Sequence, residues 1–257
     1  MDKECVTFNG NQLTYLLRKG ESDLWIVFVH GAGGDSSLFE KQFQGLDKKW
    51  NLLAPDLPGH GGSAPVPDAT VGTYRDVIIA LARSLGIQRA VLAGHSMGGG
   101  VIIEAQRAVS DMVAGMVFIA CGPALPVAPV IFDLIEKNFA GFAAMAGEFM
   151  CGKDADEHLK SLLQNGLDRA GKDQTYRDFS ICRRYDYLPV LGDISVPALV
   201  LANTGDRLVS VKGAKKLHEA IASSVLKIYE GSSHMPHWEL AESANRDIDE
   251  LCASLAK

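Results

Sequence analysis

The sequence predicts an α/β fold, with a mostly parallel central sheet flanked by helices and a helical cap inserted into it. Three observations carry this. Short apolar runs recur without polar alternation at 24–29, 52–54, 90–93, 113–120, 198–202 and 225–229, as expected of strands buried on both faces. Helix-like stretches at 74–85, 97–109, 211–221 and 240–255 alternate with them, the rhythm of a parallel sheet covered by helices. Glycine-rich segments follow several of the runs directly, at the strand ends where such sheets carry their functional groups.

Taken in order, residues 6–17 alternate loosely around Asn9-Gly10, a strong hairpin signal. The run at 24–29 ends in His30-Gly31-Ala32-Gly33-Gly34, and the run at 52–54 in Pro55-Asp56-Leu57-Pro58-Gly59-His60-Gly61. The run at 90–93 ends in Gly94-His95-Ser96-Met97-Gly98-Gly99-Gly100. Residues 123–185 break the rhythm and read as several helices, including 130–139 and 157–169. The expected organisation is therefore a core of 1–122 and 186–257 with 123–185 as a cap over the strand ends. A decorated crossover with no part in the site is the plainer alternative. Phe142, Met145 and Phe149 have the spacing of an apolar pocket roof, which is equally the spacing of ordinary helix packing.

Composition bounds the function. The 257 residues hold one α/β domain with an insertion. Apolar residues make up 47% and charged residues 22%, an ordinary globular balance. The net charge of -6 argues against nucleic acid as a partner, and weakly against anionic membranes. No run approaches the ~20 apolar residues of a membrane span. Cys5, Cys121, Cys151, Cys182 and Cys252 are scattered and odd in number, which points to free buried thiols in a reducing compartment. The first residues lack the apolar stretch of a secretory signal, so a cytoplasmic protein is expected. Nothing in the sequence fixes an oligomeric state.

Gly94-His95-Ser96-Met97-Gly98 matches G-x-S-x-G between a buried strand and a helix, the context that gives the pattern meaning. The glycines permit a sharp turn that exposes the Ser96 hydroxyl. A serine hydroxyl needs a positioned base. His158 and His218 read as surface residues, His30 and His60 lie in loops upstream, and His95 should point away from Ser96. His234 and His237 remain, in the loop after the last strand. His234 comes first and is preferred, with His237 as a packing residue at the helix start. Asp206 directly follows the strand at 198–202 and would orient the base, whereas Asp193 precedes that strand and reads as a surface charge. The order Ser96, Asp206, His234 is that of the G-x-S-x-G hydrolases. Oxyanion donors are expected from the N–H groups of Met97 and Ala32. A dinucleotide reading of the loop at 30–34 lacks the full G-x-G-x-x-G spacing.

Together, His30-Gly31-Ala32-Gly33, Asp56-Leu57-Pro58-Gly59-His60-Gly61, Gly94–Gly98, Gly205-Asp206 and Ser233-His234-Met235-Pro236-His237-Trp238-Glu239 resemble the cap-bearing, lipase- and esterase-like α/β-hydrolases, across nearly the whole chain. In that family the Asp56–Gly61 loop is usually structural. Ser96 stands where haloalkane dehalogenases and epoxide hydrolases carry aspartate, which disfavours their chemistries. The resemblance spans carboxylesterases, thioesterases, lactonases, carbon–carbon bond hydrolases and menaquinone-pathway lyases. The expected function is hydrolysis of a small or medium, largely apolar ester or thioester, with no metal or cofactor. Carbon–carbon bond hydrolysis or a lyase reaction is the second reading. It calls for a polar or cationic cap pocket, for which Arg183 and Arg184 are candidates. A slow-turnover ligand receptor on the same fold is the third.

Overall fold

The computed structural model describes residues 3–8, 10–152, 155–231 and 233–256. Among them, eight strands form one sheet in the order β1-β2-β4-β3-β5-β6-β7-β8. At one edge β1 (Glu4–Phe8) and β2 (Asn11–Arg18) are antiparallel, and β2 pairs antiparallel with β4 (Asn51–Pro55). From there β4, β3 (Trp25–Val29), β5 (Ala90–His95), β6 (Val113–Ile119), β7 (Ala198–Asn203) and β8 (Ser224–Tyr229) run parallel. Gly10 in the β1–β2 turn has φ +78, the left-handed conformation a tight hairpin requires. Asn9, the other half of that signal, lies outside the described residues.

The helices are α1 (Glu40–Gly45), α2 (Val71–Ser84), α3 (Met97–Ala108), α4 (Pro129–Lys137), α5 (Phe139–Met150), α6 (Glu157–Arg184), α7 (Val211–Ala220), α8 (Pro236–Glu239) and α9 (Ala241–Leu255). The inner strands send successive side chains to opposite faces. In β3, Trp25, Val27 and Val29 join the apolar cluster that includes Ile78 of α2 and Val101 of α3. Ile26 and Phe28 join the other cluster, with Phe43 of α1 and Ile248 of α9. Both faces are covered, so every residue of β3, β4, β5 and β7 is buried and no polar alternation appears in the sequence.

Local signals set several helix boundaries away from where apolar periodicity puts them. α2 begins at Val71 because Thr70 caps it: the Thr73 N–H donates to the Thr70 hydroxyl, and the Thr70 N–H to that of Thr73. The expected helix at 130–139 ends at Lys137, and Asn138 caps α5 by accepting from the Gly141 N–H at 3.1 Å. α6 runs past the expected 169 to Arg184, with a kink at Gly171, φ 74. α4, α5 and α6 all lie between β6 and β7, and the ends of that segment meet. Ala124 and Asp186 form an antiparallel bridge, and the Tyr187 N–H donates to the Pro123 carbonyl at 2.9 Å.

β3 lies between β4 and β5, so the chain turns to one side of it and later returns on the other. This is the switch point at which a parallel sheet opens a crevice beyond its carboxyl ends. Asp56, at the end of β4, organises one wall of that crevice. Its buried carboxylate accepts from Lys3 Nζ at 2.8 and 2.9 Å, from the Ser36 N–H at 2.9 Å, from the Gly62 N–H at 3.0 Å and from the Thr14 hydroxyl. Burial alone would raise its pKa, but the Lys3 ammonium and these hydrogen bonds outweigh burial and bring it down to about 2. A carboxylate depressed from 3.8 to about 2 contributes roughly 2 kcal/mol of stability above its unfolded value. That contribution is lost as pH falls from about 4 to about 2. Urea unfolding across this window is therefore expected to show Asp56→Asn less stable than the parent at neutral pH and less sensitive to acid. Parallel curves for the two proteins would contradict the assignment.

Candidate active site

The G-x-S-x-G segment forms the turn from β5 into α3. Ser96 has φ 52 and ψ −117, a left-handed conformation that a residue with a side chain adopts only under constraint. A Cβ on Gly98 would stand 2.2 Å from the Val29 carbonyl oxygen, and one on Gly94 would stand 2.5 Å from the Gly98 carbonyl oxygen. Neither position has room for a side chain, so the turn stays tight and Ser96 projects at its apex. Met97, at the first turn of α3, has no residue one turn earlier in the helix to receive its N–H.

The loop after β3 runs alongside. A Cβ on Gly31 would meet the Ser96 Cβ at 3.0 Å. His30 accepts the Leu57 N–H at Nε2 (3.0 Å), so its proton resides on Nδ1 and is donated to the Gly31 carbonyl at 2.9 Å. Gly34 N–H reaches the same carbonyl at 3.2 Å. The Gly33 N–H donates to Asp178 Oδ2 at 2.9 Å. Both peptide planes flanking Ala32 are thereby fixed, one by its oxygen and the other by its N–H. Burial, with the nearby charge of His60, pushes His30 down to about 4, so it is neutral.

Asp206 follows β7, and His234 follows β8. Asp206 Oδ1 accepts the Leu208 and Val209 N–H groups at 2.8 and 2.9 Å, and Oδ2 lies 2.8 Å from His234 Nδ1. Both side chains of this pair are nearly solvent-free. The carboxylate can only accept, so Nδ1 carries the proton and Nε2 is left as the basic nitrogen. His234 and Ser96 line one cavity; among the described residues no hydrogen bond joins them.

Further contacts hold the two loops together. Asn203 Nδ2 donates to the Ser233 carbonyl at 3.2 Å, and Asn203 Oδ1 accepts the Gly205 N–H at 3.2 Å. Glu239 accepts from both the N–H and the hydroxyl of Ser233 at 2.8 Å and from the Gly152 N–H after α5. His95 donates from Nε2 to the His234 carbonyl at 2.9 Å, and its ring lies 4.8 Å from those of His234 and His237. Burial, then the neighbouring histidines, lowers His95 well below its ordinary value; burial likewise takes His237 down to about 3. The neutral His95 ring therefore packs against His234, with the neutral His237 ring against its own, and neither adds a charge beside the candidate base.

The cavity holds about 500 Å³ and is walled mainly by apolar side chains. Phe142, Met145 and Phe149 of α5 line it together with Ile131 and Leu134 of α4, Phe179 of α6 and Leu208. Ala32, Ser96 and His234 also line it, and Arg207 reaches it. Arg183 and Arg184 do not: the Arg183 guanidinium lies 5.5 Å over the Phe132 ring, and Arg184 lines a separate groove. Asp193 is exposed at the far side of β7, in the short helix Leu188–Asp193. His158 is exposed beside Glu40, while His218 is half-buried against Ser224. All five thiols are free. Cys5 is exposed, contrary to the expected burial, and the other four are buried. Ser232 lies outside the described residues. Among those described, no group of three or more His, Cys, Asp or Glu side chains is arranged to hold a metal ion, and no helix is long and apolar enough to cross a membrane.

A second buried pair was not anticipated. His60 Nε2 lies 2.7 Å from Asp178 Oδ2 and His60 Nδ1 lies 3.2 Å from the Pro58 carbonyl. Both nitrogens face acceptors, an arrangement that favours the protonated ring. Burial alone would lower its pKa, but Asp178 raises it. Burial would raise Asp178, but His60 and the donors around it lower it. Tyr74 OH at 2.8 Å and Gln174 Nε2 at 3.0 Å hold the other carboxylate oxygen.

The sheet, the strained serine turn and the crevice define a protein of the α/β-hydrolase fold. The chain belongs to the Alpha/beta hydrolase family, which it matches over residues 26–246. It is 30% identical to the dihydrolipoyllysine-residue acetyltransferase component of the acetoin cleaving system of Pseudomonas putida, covering 93% of this chain and 66% of that one. It is 28% identical to the pimeloyl-[acyl-carrier protein] methyl ester esterase of Vibrio atlanticus, covering 85% of this chain and 90% of that one. The fold is similar to the solved enol-lactonase of Burkholderia xenovorans, with a TM-score of 0.88 at 22% identity, covering 97% of this chain and all of that one.

The backbone at Ser96 stores strain that glycine would release, at roughly 1–3 kcal/mol for such a residue. Ser96→Gly is expected to melt above Ser96→Ala, because alanine keeps the crowded Cβ. Equal melting temperatures would show that the turn is unstrained.

Proposed function

We propose that this protein is a serine esterase that hydrolyses small to medium, largely apolar carboxylic esters or thioesters through an acyl-enzyme. The observation that carries the reading is Ser96, held in a strained turn, on the wall of an apolar cavity it shares with His234, whose Nδ1 is engaged by Asp206. Ser96 Oγ attacks the carbonyl carbon while His234 Nε2 takes its proton. The N–H groups of Met97 and Ala32 receive the developing oxyanion. The leaving group departs with the proton from His234, and the acyl group stays on Ser96. Water then attacks with His234 again as base, releasing the acid and restoring the serine. Asp206 keeps the imidazole in the required tautomer and stabilises its protonated form. The sequence of steps calls for neither metal nor cofactor.

In this reading residues 123–185 act as a cap. α4 and α5 supply a large part of the apolar wall and the pinned ends hold it over the strand ends. The cavity's size is within the ordinary range for a small-molecule site. Its apolar wall favours an uncharged acyl chain over the polar pocket that a carbon–carbon bond hydrolase would need. The methyl ester esterase among the relatives points the same way. Five unpaired thiols accord with a reducing, cytoplasmic location.

A fluorophosphonate probe is expected to label Ser96, read by intact mass and peptide mapping. Turnover of p-nitrophenyl esters by Ser96→Ala is expected to fall by about 10³-fold or more. Failure to label, with turnover indifferent to Ser96, would sink the reading. Ala146 is buried in the cavity wall. Ala146→Phe is expected to move the preferred acyl chain to shorter lengths, measured as kcat/KM across a series of esters. An unchanged preference would place the acyl group elsewhere.

A further inference from the structure

We infer that Asp178, on the helix that covers the site, is a positioning residue for the oxyanion-binding loop, and that it makes the donor at Ala32 depend on the docking of α6. This rests on the esterase reading above. Asp178 does not face the cavity and touches no reacting atom. Its Oδ2 accepts the Gly33 N–H at 2.9 Å, across 145 residues of sequence. Gly33 has φ +66, and a Cβ there would collide with Leu167 of α6 at 2.2 Å. A Cβ on Gly166 would meet the Gly33 carbonyl at 2.7 Å. α6 thus meets the loop at three points: the Leu167 side chain against Gly33, the Gly166 backbone against the Gly33 carbonyl, and Asp178, which supplies the directional contact.

The effect on Ala32 follows from peptide geometry. The Gly31–Ala32 peptide contains both the Gly31 carbonyl and the Ala32 N–H, which point in opposite directions across a planar trans unit. His30 and Gly34 fix the carbonyl. The Ala32–Gly33 peptide is fixed at the Gly33 N–H by Asp178. Without that second anchor Ala32 is held on one side only, next to a glycine in a conformation with wide backbone freedom.

Asp178 is itself built to stay in place. Tyr74 OH, Gln174 Nε2 and His60 Nε2 all direct donors at it, and Gln174 also donates to Tyr74 OH at 2.6 Å. His60 packs edge-on against His30 at 4.9 Å between ring centres. The same carboxylate therefore connects α6, α2 and the loops after β3 and β4. These four donors fill the carboxylate's acceptor sites, and its one contact with the loop at 30–34 is next to Ala32.

The test compares Asp178→Ala, Asp178→Asn and Tyr74→Phe with the parent and Ser96→Ala. The readouts are kcat and KM on p-nitrophenyl butyrate, inhibition by a trifluoromethyl ketone, and melting temperature. The ketone forms a tetrahedral adduct on the serine and so reports on the oxyanion donors. Asp178→Ala is expected to lower kcat by about 10–100-fold with KM within about threefold, because a displaced donor costs transition-state rather than substrate binding. Trifluoromethyl ketone affinity should fall by a similar factor. Asp178→Asn keeps an oxygen for the Gly33 N–H and should recover most of the loss. Tyr74→Phe, which disturbs only the far oxygen, should lower kcat by about threefold. Folded Asp178 variants with the parent's kcat and ketone affinity would overturn the inference while leaving Ser96-dependent turnover, and hence the esterase reading, intact. If the parent's own turnover does not depend on Ser96, the esterase reading fails and this inference falls with it.

Discussion

The approach of α3 to β3 at Gly98 sets the geometry on which the rest of the site depends. A Cβ there would sit 2.2 Å from the Val29 oxygen, so the helix lies directly against the strand. The chain must turn from β5 into that helix within one residue, and the turn is taken at Ser96 in a left-handed conformation. Close packing brings the first turn of α3, the serine and the loop at 30–34 into one small volume. The glycine pattern is therefore a packing requirement first, and its chemical use follows from what the packing exposes.

The same economy runs through the loops after β7 and β8. Asp206 spends one carboxylate oxygen on two backbone N–H groups and the other on His234. Asn203 and Glu239 tie the neighbouring backbone so that this alignment does not rely on the pair alone. Two histidines held neutral by burial pack beside the pair, His95 against His234 and His237 against His95. A charged neighbour there would oppose any positive charge on His234. The alignment of Asp206 with His234 is thus supported by several residues around the pair.

The parallel sheet was legible because strands buried on both faces leave apolar runs, and each run ended where a glycine-rich loop began. Ser96, Asp206 and His234 could be singled out because each follows a strand at the same end of the sheet, so their nearness is a matter of topology. Other features carry no such local mark. α2 starts at Val71 because of a Thr70–Thr73 cap that lacks the usual glutamate. α1 is one short helix without a periodic stripe. His60 and Asp178 are 118 residues apart and meet only because α6 lies across the loops. Arg183 and Arg184 line no part of the cavity, which depends on how the inserted helices are rotated, while Arg207 reaches it from the loop after β7. What strand order dictates could be read; what side-chain direction on packed helices dictates could not.

The bridge between Ala124 and Asp186 brings the two ends of the inserted segment together where it leaves the sheet. A segment whose ends already touch imposes no separation on β6 and β7, whatever lies between. It can lengthen, shorten or be exchanged while the strand register stays as it is. The sheet alone therefore sets where Ser96, Asp206 and His234 stand, while the segment between the bridged ends shapes the cavity beside them and reaches back to the loop at 30–34 through Asp178.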